Sequence, residues 1–202
     1  MLDALLRPVK ERLLAPVSRA IGHRVPPLAL TIVGFACGLA AAALAAHGRH
    51  ASALALWIAN RVLDGLDGTL ARTQGTQSDL GGYVDIVLDF VVYAAIPIGL
   101  VIGAPSIPLA VAALAMLASF YVNAASWMYL SAILERRGAG ARQRGELTSV
   151  TTPDGLVGGT ETIVGYTLFL LLPRHLGALF WLMTVLVVAT IAQRVAWAVR
   201  RL

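Results

Sequence analysis

Residues 64 to 89 read DGLDGTLARTQGTQSDLGGYVDIVLD, and their reading decides the fold because they put charge where the flanking sequence has almost none. Asp64, Asp67, Arg72, Asp85 and Asp89 fall inside two segments otherwise apolar enough to cross a membrane. A carboxylate at membrane depth costs roughly 3 kcal/mol or more unless something neutralises it, so an intramembrane aspartate marks a functional site until shown otherwise. Four of them together call for a cation.

The two segments run from about 51 to 72 and from about 78 to 102, joined by residues 73 to 78. The first carries its polar third at the end and the second at the beginning, so both thirds lie at one side of the membrane. Working outward, residues 27 to 46 form an earlier span of Ala, Leu, Gly and Val, and roughly 20 such residues cross a bilayer core. Its small residues suit close helix packing, because lipid offers no hydrophobic drive for association. Later spans are expected at about 107 to 134, 156 to 172 and 176 to 199, with residues 135 to 155 as the longest polar loop.

Before the first span, Leu2, Leu5, Leu6, Val9, Leu13, Leu14 and Val17 recur near a helical period, interleaved with Arg7, Lys10, Arg12 and Arg19. This describes an amphipathic helix lying on the membrane surface. Its apolar residues are not contiguous, which argues against a secretory signal.

Composition agrees. The chain has 202 residues, 58% hydrophobic and 13% charged, with mean hydropathy +0.76, where a globular domain is about a quarter charged. A net charge of +5 and a pI near 10.0 would suggest nucleic acid in a soluble chain. Here the basic residues sit at the termini and between spans, where they set topology and meet anionic lipid, and nucleic-acid binding is not expected. Cys37 is the single cysteine, so there is no disulfide framework.

Six spans put both termini on one side. That side receives Arg7, Lys10, Arg12, Arg19, Arg24, Arg136, Arg137, Arg142, Arg144, Arg200 and Arg201, against Arg49 and Arg174 opposite. The excess of positive charge predicts that the termini and the aspartates face the cytoplasm.

Asp64 and Asp67 are three apart and Asp85 and Asp89 four apart, so each pair shares a helix face. Hard oxygen donors suit Mg²⁺, Mn²⁺ or Ca²⁺, and Mg²⁺ is commonly held by a few carboxylates with substrate phosphates and water. Four carboxylates exceed what one Mg²⁺ recruits and favour two ions, the arrangement that stabilises attacking and leaving oxygens in phosphoryl displacement. Gly65, Gly68, Gly81 and Gly82 leave room for a ligand to approach backbone, and Arg72 can fork onto a phosphate. Helix packing and interfacial anchoring explain each of these residues singly as well. Together they would leave the aspartates uncompensated.

The pattern Asp64-x2-Asp67-Gly68-x2-Ala71-Arg72-x8-Gly81-x3-Asp85-x3-Asp89 resembles the signature of the class I CDP-alcohol phosphotransferases, with all eight residue types and their spacing present. With six spans and an amphipathic N-terminal helix, the likeness extends over essentially the whole chain and is greatest to small bacterial inner-membrane members. It implies an all-α polytopic fold, a single membrane domain over 1–202 with a surface helix at 1–24 and a six-helix bundle at 27–199. It also implies transfer of a substituted phosphate from a CDP-linked donor, usually CDP-diacylglycerol, to an acceptor alcohol with loss of CMP, in phospholipid biosynthesis. By position, Asp64, Asp67, Asp85 and Asp89 would hold two Mg²⁺ or Mn²⁺ ions, Asp89 also acting as general base. Gly68, Ala71, Arg72 and Gly81 would shape the nucleotide site, with Ser78 adding a hydrogen bond. The family also suggests a homodimer in the bacterial inner membrane.

Outside the signature, many relatives open the first span with Thr-Pro-Asn, where this chain has Val25-Pro26-Pro27. Arg136 and Arg137, Glu161 and Arg194 are expected at an acceptor pocket, the arginines competing with simple topological anchoring. The acceptor itself is not written in the sequence. Two other classes compete: a transport or structural membrane protein with the acidic cluster as a cation site, and a hydrolase of CDP-diacylglycerol using the same metals. An ion pathway predicts acidic residues through the membrane's depth, whereas these four sit at one end of two adjacent segments.

Overall fold

The computed structural model describes residues 2–138 and 155–202, with side chains from residue 12 onward in the first helix. The elements are α1 (Leu2–Ile21), α2 (Pro27–Ala46), α3 (His50–Gln74), α4 (Asp79–Gly103), α5 (Ile107–Arg136), α6 (Gly159–Leu171), a 3-10 turn (Pro173–His175) and α7 (Leu176–Arg201). There is no strand among the described residues.

Local chemistry explains the boundaries that place the acidic stretch. Helix α2 opens with Pro27 in its first turn after an extended Pro26, where the missing N–H is no loss. Helix α3 runs two residues beyond its expected end and stops at Gly75, whose φ of 65° is left-handed. There the N–H groups of Gly75 and Thr76 bond back to Arg72 and Ala71 at 3.2 and 3.0 Å, satisfying terminal carbonyls. Ser78 then caps α4 by accepting from the Gly81 N–H at 3.1 Å, and Asp79 in the first turn suits the positive end of the helix. Residues 75 to 78 therefore join α3 and α4 in a tight hairpin.

Helix α2 packs against α3 and α4, α5 against α7, and α6 against α3 and α7. A ladder of aromatic rings fills the middle: Trp57 stacks on Tyr166 at 5.5 Å, Tyr166 meets Phe169 at 5.1 Å, and Phe169 meets Phe180 at 4.9 Å. The α2–α4 contact depends on missing side chains, since a Cβ on Gly99 would collide with the Ala42 carbonyl oxygen of α2. Because the obstacle is backbone, the helices must part to admit a methyl group, and such overpacking costs about 1–3 kcal/mol. Gly99→Ala is thus expected to lower the thermal midpoint of the detergent-solubilised protein, measured as folded material surviving heat. Gly177→Ala is the control, because a Cβ there meets nothing within 4 Å.

Four helical segments, Pro27–Ala46, Asp79–Gly103, Ile107–Arg136 and Pro173–Arg201, are long and apolar enough to cross a membrane. Of the other two expected spans, α3 has 25 residues but carries Arg61, Asp64, Asp67 and Arg72. The 13 residues of α6 fall short of the roughly 20 that a straight crossing needs. Length and composition thus support four of the six. Helix α1 leaves Leu13 and Val17 exposed and packs on α3. Its exit is tied to the end of α3, where Gln74 Nε2 donates to the carbonyls of Gly22 and Val25 at 2.6 and 3.0 Å and Ser18 donates to Thr73 at 3.0 Å.

Candidate active site

Asp64, Asp67, Asp85 and Asp89 all line one cleft between α2, α3 and α4, whose apolar walls include Phe35, Leu88 and Val92. The hairpin brings this about: α3 ends and α4 begins at the same end of the bundle, so the acidic face of each turns toward the other.

The carboxylates are held differently. Asp67 is buried and accepts a hydrogen bond from Thr31 Oγ1 of α2 at 2.6 Å. Asp89 faces Arg61, whose Nη2 donates to Oδ1 at 2.6 Å and whose Nη1 donates to Oδ2 at 3.3 Å. The same Nη1 lies 3.8 Å from Asp64 Oδ2. Arg61 also donates from Nε to Asn60 Oδ1 at 2.7 Å and from Nη1 to the Tyr93 hydroxyl at 2.9 Å. Its guanidinium carbon sits 4.8 Å from the centre of the Trp57 ring and 5.1 Å from that of Tyr93, within range of a cation–π attraction.

The donor set fits a hard divalent cation in kind. It is all oxygen, ionisable, and drawn from two helices onto one cleft. Among the described residues no group of three or more acidic, imidazole or thiol side chains is arranged to hold a metal ion. Completing a shell therefore calls on water or ligand oxygens, as is usual for Mg²⁺ beside one or two carboxylates and a phosphate.

The other signature residues do not line this cleft. Gly68 faces Arg72, whose Nη1 would stand 3.4 Å from an added Cβ, and Arg72 Nη2 donates to Thr69 at 3.3 Å. Ala71 supplies the carbonyl that closes the end of α3. Ser78 and Gly81 share the capping bond of α4, and a Cβ on Gly81 would come 3.2 Å from Ser78 Oγ.

The residues expected around an acceptor are dispersed, and none lines the aspartate cleft. Glu161 accepts from the Gly158 N–H at 3.0 Å and so caps its own helix. Arg194 is buried on α7 and donates to Asn123 of α5 at 2.7 Å. Arg137 donates to the main-chain oxygen of Leu202, and Arg136 is exposed. Arg142 and Arg144 lie outside the described residues. Trp57 is fully buried in the aromatic ladder.

Sequence reasoning missed Arg61, Thr31, Asn60 and Tyr93. The signal for Arg61 was available: an arginine three residues before Asp64, deep in a segment expected from its sequence to cross lipid, needs an anionic partner.

The sequence profile of the CDP-alcohol phosphatidyltransferases matches residues 24–200. The chain is 35% identical over 195 residues to the inner membrane protein YnjF of Escherichia coli, covering 91% of this chain and 92% of that protein. It is 34% identical over 97 residues to the archaetidylinositol phosphate synthase of Methanothermobacter thermautotrophicus, 48% of this chain and 49% of that one. Among solved structures, the phosphatidylinositol phosphate synthase of Mycobacterium tuberculosis with CDP-DAG bound superposes with a TM-score of 0.70 at 23% identity, covering 92% of each chain. The same synthase with manganese and citrate gives 0.69 at 23% identity, covering 91% of this chain and 87% of that one. These two likenesses are of fold.

Proposed function

The chain belongs to the CDP-alcohol phosphatidyltransferase family and is a CDP-alcohol phosphotransferase, and from that premise we propose that it moves a phosphatidyl group from CDP-diacylglycerol to an acceptor alcohol. The observation that carries this reading is the single cleft lined by all four aspartates of the α3–α4 hairpin.

The acceptor hydroxyl oxygen attacks the phosphorus that bears the lipid alcohol. A new P–O bond forms, the pyrophosphate P–O bond to CMP breaks, and CMP leaves with that bond's electron pair. Asp89 takes the hydroxyl proton, which requires its carboxylate to be ionised and within hydrogen-bond reach of the acceptor. Asp64, Asp67, Asp85 and Asp89 would hold the divalent cations, which when bound offset the pyrophosphate charge and stabilise attacking and leaving oxygens. Thr31 fixes one oxygen of Asp67, and Arg72 at the end of α3 would meet phosphate. Gly68, Ala71, Gly81 and Ser78 would shape the nucleotide end of the site, and Arg136, Arg137, Glu161 and Arg194 the approach of the acceptor.

Residues 1–202 act as one catalytic unit in this reading. Helices α3 and α6 complete six spans, α3 because its charged face turns inward and α6 because the preceding link extends it. Both termini and the site then face the cytoplasm from a bacterial inner membrane, the protein working as a homodimer.

Purified protein with Mg²⁺ or Mn²⁺ and labelled CDP-diacylglycerol is expected to release CMP only when a suitable alcohol is added from a panel, and the lipid formed then identifies the acceptor. CMP and phosphatidic acid without any alcohol would mark a hydrolase. No turnover of any CDP-linked donor would defeat the reading.

A further inference from the structure

Arg61 lies outside the signature pattern yet makes polar contacts with Asp89, Asp64, Asn60 and Tyr93. Its side chain is 7% exposed. It spans both oxygens of Asp89, and its own plane is fixed by Asn60 at Nε and Tyr93 at Nη1, with the rings of Trp57 and Tyr93 alongside. Each support is itself anchored. Asn60 donates to the Gly34 carbonyl of α2 at 2.9 Å, Trp57 donates to Thr167 of α6 at 3.0 Å, and the Tyr166 hydroxyl donates to the Tyr93 carbonyl at 2.6 Å. The guanidinium is thus braced from α2, α3, α4 and α6.

We infer that Arg61 is a positioning residue for Asp89, locking the plane of its carboxylate so that the remaining lone pairs point into the cleft. The argument is geometric. A carboxylate offers about four lone-pair sites, and a planar fork bonded to both oxygens takes one on each and leaves one on each. Because the fork is rigid and itself braced, both side-chain torsions of Asp89 are set before any ligand arrives. Neutralisation alone would need only a point charge, which a lysine supplies; the fork matches two oxygens in one plane. An oriented base matters because small misplacements of reacting groups are costly in rate.

The inference rests on the transferase reading and is tested separately from it. Arg61→Lys keeps the charge and loses the fork, and Arg61→Ala leaves space for an added guanidinium. In the full chain in detergent, Arg61→Lys is expected to lower kcat by about 10- to 100-fold, the usual effect of removing a group that orients a ligating carboxylate, and to weaken Mn²⁺ binding followed by electron paramagnetic resonance. The donor KM should stay close to wild type, and ethylguanidinium should restore part of the Arg61→Ala rate. Wild-type kcat and Mn²⁺ affinity in Arg61→Lys would overturn the inference. So would variants that lose folded protein but turn over normally per folded molecule. If wild-type protein binds Mn²⁺ but turns over no CDP-linked donor, the transferase reading fails while the Mn²⁺ comparison still judges Arg61.

Discussion

Asp89→Asn is expected to lower CMP release by about 10³-fold, within the range that general bases contribute, while the protein still binds its CDP-linked donor. The substitution removes the group that accepts the proton. It also replaces one of two acceptor oxygens with an NH₂ that faces the donors of Arg61, which now hold Oδ1 and Oδ2 at 2.6 and 3.3 Å. An amide there sets donor against donor or turns away, and neither arrangement serves the reaction. Donor binding is expected to survive because Gly68, Ala71, Arg72 and Gly81 are unaltered. Release of labelled CMP reads the first effect and equilibrium binding of labelled donor the second. A variant that turned over at the wild-type rate would take the base assignment away from Asp89.

Stripping divalent cations with a chelator is expected to have an effect of comparable size. Metal ions supply several kcal/mol of charge stabilisation in such reactions, or more than about a hundredfold in rate. The acidic cleft gives that dependence a physical basis, since four carboxylates otherwise repel a pyrophosphate. CMP release should fall to background in chelator and return on adding excess Mg²⁺ or Mn²⁺. Turnover that persisted in chelator would rule out catalysis through the aspartate cluster as a cation site.

Much of this architecture was legible in the sequence. The bounds of α2 are those expected, 27 to 46, because Pro26 and Pro27 at one end and His47 to Arg49 at the other punctuate an unbroken apolar run. The α3–α4 boundary was less legible, because the expected loop began at Thr73, whereas Gly75 in its left-handed conformation carries α3 two residues further. Helix α6 starts at Gly159 rather than 156. Residues 155–157 are spent on an irregular link whose N–H groups bond to α7, Leu156 to Gln193 at 3.2 Å and Val157 to Thr190 at 2.9 Å. No local pattern announces such tertiary bonds.

The aspartates were legible because their chemistry conflicts with their surroundings. Their partners were not, since periodicity says nothing about contacts across helices. Thr31 reaches Asp67 over 36 positions, and a threonine in an apolar helix ordinarily satisfies itself on its own backbone, as Thr31 also does on the Pro27 carbonyl. Arg61 lies mid-helix, where its partner Asp89 is 28 positions away on another helix, whereas Arg72 sits at the helix end beside the other signature residues.

The arrangement of α3 also bears on how the chain is made. Arg61 precedes Asp64 by one turn of the same helix, 3.8 Å away, so part of the acid's charge is offset within the helix before the next helix leaves the ribosome. When α4 follows through the short link at 75–78, Asp89 arrives opposite a guanidinium already in place. One guanidinium thus offsets part of the charge of two of the hairpin's four cleft aspartates as the chain is made.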